Sequence, residues 1–375
     1  MTSNRIVKWL GFGAMIAAGI ATAAVPASAA TKKYQVYLSM SYVGNDWQSE
    51  AQQMIVAMAK AHADEVDLKI QVAGPVAQKQ IQQINSMVEA GANAIILYPI
   101  SPTALNPAIK NACSKGVVVV AYDSQVTEPC AYNVYTDQYA SAQITAEWVA
   151  KAMGHKGNLI FVTGVPGTTV DTGRNKGAHD VFAKYPDIKI IAEPNGMWSQ
   201  AVIRKDFNEI MATHKWSDIQ GIWGQGGCLV GWSMQIEAGM PADKLVPCGT
   251  EGTNGMRTMM LPEGAVKGPS PTYTAVGAKG ISLENPPGSG GLALKLALEV
   301  LDGKKVPKAT VMPPQIVTSA DIKLCKEGTW AEMKDGCNVF DPALVPPGWF
   351  ANIYSPDTPE LGFQAALVGE PEAKK

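Results

Sequence analysis

The chain has 375 residues, 46% hydrophobic and 17% charged, with a formal net charge of −2. That balance suits a soluble globular protein of one large or two medium domains, and it excludes the basic face that nucleic-acid binding needs. The first thirty residues stand apart. Arg5 and Lys8 precede an apolar run of small residues from Trp9 to Val25, and Ala27-Ser28-Ala29 forms a small-x-small site. This pattern predicts a secretory signal peptide over 1–29, cut after Ala29. A membrane anchor is the competing reading, and the Ala- and Gly-rich run with its cleavage site argues against it. No later stretch is long and apolar enough to span a bilayer, and no cysteine stands at the cleavage site to take a lipid.

From there strand-like and helix-like segments alternate. Tyr34 to Met40 reads as a strand, and Trp47, Ala51, Met54, Ile55, Met58 and His62 recur at helical spacing. A strand over 66–72, a helix at Ile81 to Val88, a strand at Ala94 to Tyr98 and a helix at Thr103 to Ser114 follow. Val117 to Tyr122 is apolar without alternation, as in a strand of a parallel sheet covered on both faces. The pattern then restarts. Helices are expected at 144–153, 174–184, 202–213 and 229–238, alternating with strands at 158–163, 188–192, 219–223 and 245–248. A last helix is expected at Leu292 to Asp302. The tail from about Asp321 is rich in Pro and Trp and reads as loop. Such alternation predicts an α/β protein of two doubly wound parallel-sheet lobes.

All six cysteines, Cys113, Cys130, Cys228, Cys248, Cys325 and Cys337, follow the signal segment. An even count in an exported chain suggests disulfides. Fifteen pairings are possible, and buried free thiols are the alternative. Nearest-neighbour pairing gives 113–130, 228–248 and 325–337, the last closing a short polar loop. None has metal or redox C-x-x-C spacing.

Ligands of open α/β sheets sit beyond the carboxyl ends of the strands. The residues there are Ser41 to Trp47, Tyr98-Pro99, Asp123-Ser124, Gly164 to Arg174, Asn195 to Trp198, Gln225-Gly226 and Thr250-Glu251. Enzyme chemistry finds little support among them. The four histidines lack metal-ligand spacing, and no G-x-S-x-G or phosphate-loop motif occurs, so no metal and no cofactor is expected. Gly224-Gln225-Gly226-Gly227 lacks full nucleotide-loop spacing and reads as a tight strand-to-helix turn. A neutral sugar, by contrast, needs carboxylates, amides and an arginine for its hydroxyls, and flat aromatics for its ring faces. Asn45, Asp123, Arg174, Gln225 and Glu251 supply the polar groups, and Trp47 and Trp198 the aromatic faces.

The order of these motifs resembles the periplasmic sugar-binding proteins of ABC transporters, in the ribose-binding type I family, from about Lys33 to Thr318. The carrying segments are Ser41-Tyr42-Val43-Gly44-Asn45-Asp46-Trp47, Val120-Ala121-Tyr122-Asp123, the loop and helix start Gly167 to Gly177 with Arg174, and Gly249-Thr250-Glu251-Gly252. The resemblance implies three hinge crossings and the following lobes. Residues 30–136 with about 272–310 form the first, residues 137–271 with about 311–320 the second, and residues 321–375 a C-terminal extension. It implies that Asn45 and Arg174 hydrogen-bond ligand hydroxyls, Trp47 and Trp198 sandwich the ring, and Asp123 and Glu251 accept from opposite lobes. Gln225 stands at the family's amide position, and Asp137 near the hinge. Ser124 occupies the place where ribose-type members carry arginine, which points away from ribose to another monosaccharide or a polyol. The segment Gly268 to Gly291 is longer than in ribose-type members, so no site residue is assigned there. The implied function is capture of a monosaccharide or polyol in the periplasm by a monomer that hands it to an ABC permease. A sensory protein docking on a chemoreceptor or receptor kinase is one alternative. An exported carbohydrate-active enzyme, with Asp123 and Glu251 as its acid–base pair, is another. A cytoplasmic repressor would need a DNA-binding segment where the signal peptide stands.

Overall fold

The apolar runs become the inner strands of two sheets in the computed structural model, which describes residues 33–372, apart from the side chains of Thr250 and Glu251. The expected signal peptide lies outside the described residues. In the first lobe the elements are Tyr34–Met40 (β1), Asp46–Ala61 (α1), Val66–Val72 (β2), Ala77–Glu89 (α2), Ala94–Tyr98 (β3), Asn106–Ser114 (α3), Val118–Tyr122 (β4) and Tyr132–Tyr135 (β5). The second lobe runs through Gln138–Ala152 (α4), Gly157–Val162 (β6), Thr169–Phe182 (α5), Ile188–Ala192 (β7), Gln200–Met211 (α6), Gly221–Gly224 (β8), Gly227–Glu237 (α7), Cys248–Glu251 (β9), Asn254–Met260 (α8) and Gly280–Glu284 (β10). Ser289–Leu301 (α9) and Ala309–Val311 (β11) return to the first lobe, and Gln315–Thr318 (β12) to the second. Leu324–Cys325 (β13), Trp330–Lys334 (α10), Val339–Phe340 (β14) and Phe363–Val368 (α11) complete the chain.

The first sheet has the order β11-β5-β4-β3-β1-β2 and is parallel throughout. The second has the order β12-β10-β9-β8-β6-β7, and only β12 runs antiparallel. Each sheet reverses its winding beside its first strand, which opens a crevice at the carboxyl ends there. β3 and β10 are buried along their whole length because helices cover both faces.

The chain crosses between lobes three times: at Thr136–Asp137, at Asn285–Gly288 and at Met312–Pro314. The middle crossing lies later than the expected position near 272, because Gly280–Glu284 is a strand of the second sheet. That strand is short, ends in a glutamate and is followed by two prolines, so its sequence reads as a turn. β9 likewise begins at Cys248 instead of 245: Pro247 has no N–H to give a ladder and precedes the strand. α4 begins six residues before its apolar stripe because the Asp137 side chain caps it by accepting from Ala140 N at 3.0 Å.

The tail beyond Asp321 is mostly loop, as expected, but it is not a loose surface segment. Val345, Trp349, Phe350, Ile353, Leu361 and Ala365 are buried in one core with Trp47, Met54, Ile55 and Leu294 of the first lobe. Upstream, the tail binds the second lobe. Asn254 donates to Phe340 O at 2.9 Å and accepts from Phe340 N at 2.7 Å, and Arg257 Nη1 donates to Asn338 O at 2.7 Å. The extension therefore packs on both lobes. Disulfides join Cys113–Cys130, Cys228–Cys248 and Cys325–Cys337, the nearest-neighbour set.

Candidate functional site

α1 starts where the Asn45 side chain accepts from Gln48 N at 3.0 Å, so the Asn45 amide stands at the mouth of the first lobe. Asn45 Nδ2 lies 3.5 Å from Trp198 O, across the cleft. Beside it Tyr42 donates to Met197 O at 3.1 Å. Ser124 reaches the second lobe as well: its Oγ is 3.2 Å from Thr169 Oγ1 and accepts from Thr169 N at 3.3 Å. The lobes thus meet through short polar contacts and through an apolar patch of Ile100, Val165, Val170 and Trp198.

Deeper in the cleft Asn45, Trp47, Tyr98, Asp123, Val170, Arg174 and Trp198 surround one small space of about 10 Å³. Five residues expected to bind a ligand come together there. Asp123 directly follows β4 with φ of +59°, a left-handed backbone that aspartate tolerates better than most residues. Trp47 Nε1 donates to Asn285 O at 2.9 Å, and Trp198 Nε1 donates to Gln225 Oε1 at 2.7 Å. Gln225 Nε2 in turn donates to Asp171 Oδ1 at 2.9 Å and Asn175 Oδ1 at 2.8 Å. Gly164 is required here: a Cβ on it would lie 2.1 Å from Trp198 Nε1. The nearest aromatic neighbour of Trp198 is Tyr42, edge-on with centroids 6.2 Å apart, and that of Trp47 is Tyr98.

Two residues absent from the sequence expectation complete the cluster. Asn285, at the middle crossing, donates to Asp123 Oδ1 and accepts from Arg174 Nη2 at 2.7 Å. Gln138, at the first crossing, accepts from Arg174 Nε at 2.8 Å. Both sit at hinge crossings, and the only signal for either is that place: Asn285 directly after β10 and Gln138 at the start of α4. Asp137, by contrast, is exposed and spends its carboxylate on the cap of α4, away from the cluster. Glu251 ends β9, and its side chain lies outside the described residues.

Glu284 ends β10 with a buried carboxylate 3.1 Å from Arg257 Nε. Its Oε2 accepts from Ala351 N at 3.1 Å and Asn352 N at 2.8 Å, so this strand end holds the extension. Burial lowers the pKa of Arg257, and the charge on Glu284 opposes that. Among the described residues no cluster of metal-ligating side chains occurs, and no helix is long and apolar enough to cross a membrane.

A two-lobed pair of parallel sheets with three crossings and polar groups meeting at the carboxyl ends narrows the family, and residues 36–305 match the family model of the periplasmic binding protein domain. The chain belongs to the periplasmic binding protein family. Within that family it is similar to a xylitol-binding protein of Mycolicibacterium smegmatis, 32% identical over 37% of this chain and 40% of that protein. It is also similar to a D-apiose import binding protein of Paraburkholderia graminis, 27% identical over 55% of this chain and 66% of that protein. The matched stretches thus span less than two thirds of these relatives. The crystal structure of an ABC transporter solute-binding protein from Thermobispora bispora shares the fold, with a TM-score of 0.68 at 24% identity, covering 87% of this chain and 92% of that one.

Proposed function

We propose that the protein captures a monosaccharide or polyol between its lobes and delivers it to the permease of an ABC importer, without making or breaking a bond. Export by the predicted signal peptide places it in the periplasm. The observation that carries this reading is the cluster of Asp123, Arg174, Asn45 and two tryptophans at the carboxyl ends of both sheets. A carboxylate, a guanidinium and an amide at one spot satisfy hydroxyls that both donate and accept. Indole faces match the apolar faces of a sugar ring. Relatives named for xylitol and D-apiose support small polyhydroxylated ligands. Ser124, a small side chain where ribose-type members carry arginine, argues for a ligand other than ribose. Contacts from both lobes to one ligand stabilise the closed arrangement over the open one.

A thermal-shift screen of sugars, polyols and amino acids on the purified protein tests the proposal, since a ligand that binds only the folded state raises stability by mass action. Monosaccharides or polyols are expected to give a clear shift and amino acids none. Asp123→Asn keeps size and tolerance of left-handed backbone, and it should weaken their binding about 10- to 100-fold, the range for a hydrogen bond to a charged group. A large shift with amino acids alone would sink the reading.

A further inference from the structure

The extension does more than pack on the two lobes. It walls one flank of the cleft and forms an open pocket of about 450 Å³, lined by Asp46 of the first lobe, Gln200 and Leu229 of the second, and Pro347 and Phe350 of the extension. Asn45 and Trp198 line both this chamber and the inner space beside Asp123, and Gln225 reaches the chamber from the Trp198 side. The two spaces are therefore neighbours separated by a neck, the 3.5 Å contact from Asn45 Nδ2 to Trp198 O. The volumes differ greatly. About 10 Å³ accommodates one water, whereas about 450 Å³ lies within the ~300–1,000 Å³ range of small-molecule pockets.

We propose that this chamber is a second subsite, so that the monosaccharide unit admitted at Asp123 and Arg174 when the lobes part can carry a second neutral ring, as in a disaccharide, lying against the extension. The lining decides the chemistry. Among the described residues its one charged side chain is Asp46, and no Lys, Arg or His lines it, so a phosphate or carboxylate would meet a like charge with no lining cation to offset it. Gln200 and Asp46 offer hydrogen bonds to hydroxyls, and Pro347 and Phe350 offer flat apolar surface to the C–H face of a ring. A purely apolar ligand would leave those polar groups unmatched. The glycosidic bond of a disaccharide passes a neck one contact wide, and that contact opens whenever the lobes part.

This inference rests on the sugar assignment of the inner cleft, and the experiment separates the two. Calorimetric titration of the full protein with maltose, cellobiose, lactose and gentiobiose is compared with xylitol, apiose and galactose, and with glucose 6-phosphate as the anionic control. Ala201→Trp is titrated beside the unchanged protein. Ala201 lines the chamber from an exposed position on α6, so a tryptophan there fills space without disturbing the core. At least one disaccharide is expected to bind at least tenfold tighter than any of the monosaccharides or xylitol. Ala201→Trp should weaken it at least tenfold while changing monosaccharide and xylitol affinity less than threefold, and glucose 6-phosphate should not bind. Binding of xylitol or a monosaccharide with no disaccharide binding overturns the chamber and leaves the proposed function standing. Disaccharide affinity unchanged by Ala201→Trp also overturns the chamber. No heat from any sugar or polyol overturns both.

Discussion

At the scale of single residues, the cleft is built from backbone that most side chains avoid. Asp123, Met197 and Trp198 have φ of 59°, 53° and 52°. Left-handed backbone on a residue other than glycine costs on the order of 1–3 kcal/mol, and it persists where the surroundings hold it. Here the holding groups are Asn285 on Asp123 and Gln225 on Trp198. Asp123 was legible in the sequence because a charge after an apolar run marks a strand end. Asn285 and Gln138 were not, because a lone amide beside a proline or an aromatic residue looks like any turn or helix start. Glu50 is a further buried group with a visible consequence. Burial holds its carboxyl well above the ordinary value, the hydrogen bond from Phe350 N partly offsets this, and the carboxylates of Glu284 and Asp46 add to the rise. The folded state therefore keeps a proton that the unfolded chain gives up. This contribution to stability is complete below the ordinary glutamate pKa of about 4.3 and is lost as pH rises towards the raised value. Glu50→Gln keeps the acceptor and removes the titration. Its melting temperature relative to the unchanged protein should climb as pH rises above the ordinary glutamate range. A difference independent of pH would show that Glu50 titrates normally.

At the scale of elements, the regular helices and strands follow from spacing, and the deviations have local causes. Pro247 delays β9, and the Asp137 cap advances α4. The extension is mostly loop, as its Pro- and Trp-rich sequence suggests, but its burial was not legible because its apolar residues follow neither a 3.6 nor a 2 repeat. Val345, Trp349, Phe350 and Leu361 fill gaps in a core that α1 and α9 leave incomplete. What anchors it is a buried ion pair, Arg257 with Glu284, whose charges also bind Asn338 O, Ala351 N and Asn352 N. Removing one partner leaves a charge in the interior, which typically costs about 3–5 kcal/mol. Arg257→Met should lower the unfolding free energy by about that much in urea titration. Adding Glu284→Gln should restore part of it, because the pair then fails together. Additive losses from the two changes would mean that the side chains act independently.

At the scale of the whole molecule, each disulfide stays within one part: Cys113–Cys130 in the first lobe, Cys228–Cys248 in the second, Cys325–Cys337 in the extension. The covalent links thus stiffen the parts without tying one lobe to the other. Replacing Cys113 and Cys130 by serine opens a loop with a sequence separation of 17 and should cost about 3 kcal/mol of stability. The ligand-induced rise in melting temperature should persist in that variant, and its disappearance would show that the first-lobe bridge shapes the cleft.

The alternation of apolar runs and helical stripes by itself determined two α/β lobes, because strands covered on both faces must be apolar throughout and helices half-buried on them must be striped. The strand-end positions likewise marked Asn45, Trp47, Asp123, Arg174 and Trp198, which meet in one space. Only the tertiary structure decided which crossing residues, Asn285 and Gln138, bind the arginine at the centre, and where the extension runs. Those outcomes depend on distant segments meeting in three dimensions: Asn285 lies 162 positions from Asp123, and Phe350 lies 300 from Glu50. A periodicity reports which side of one element is buried. It carries no information about which remote segment does the burying.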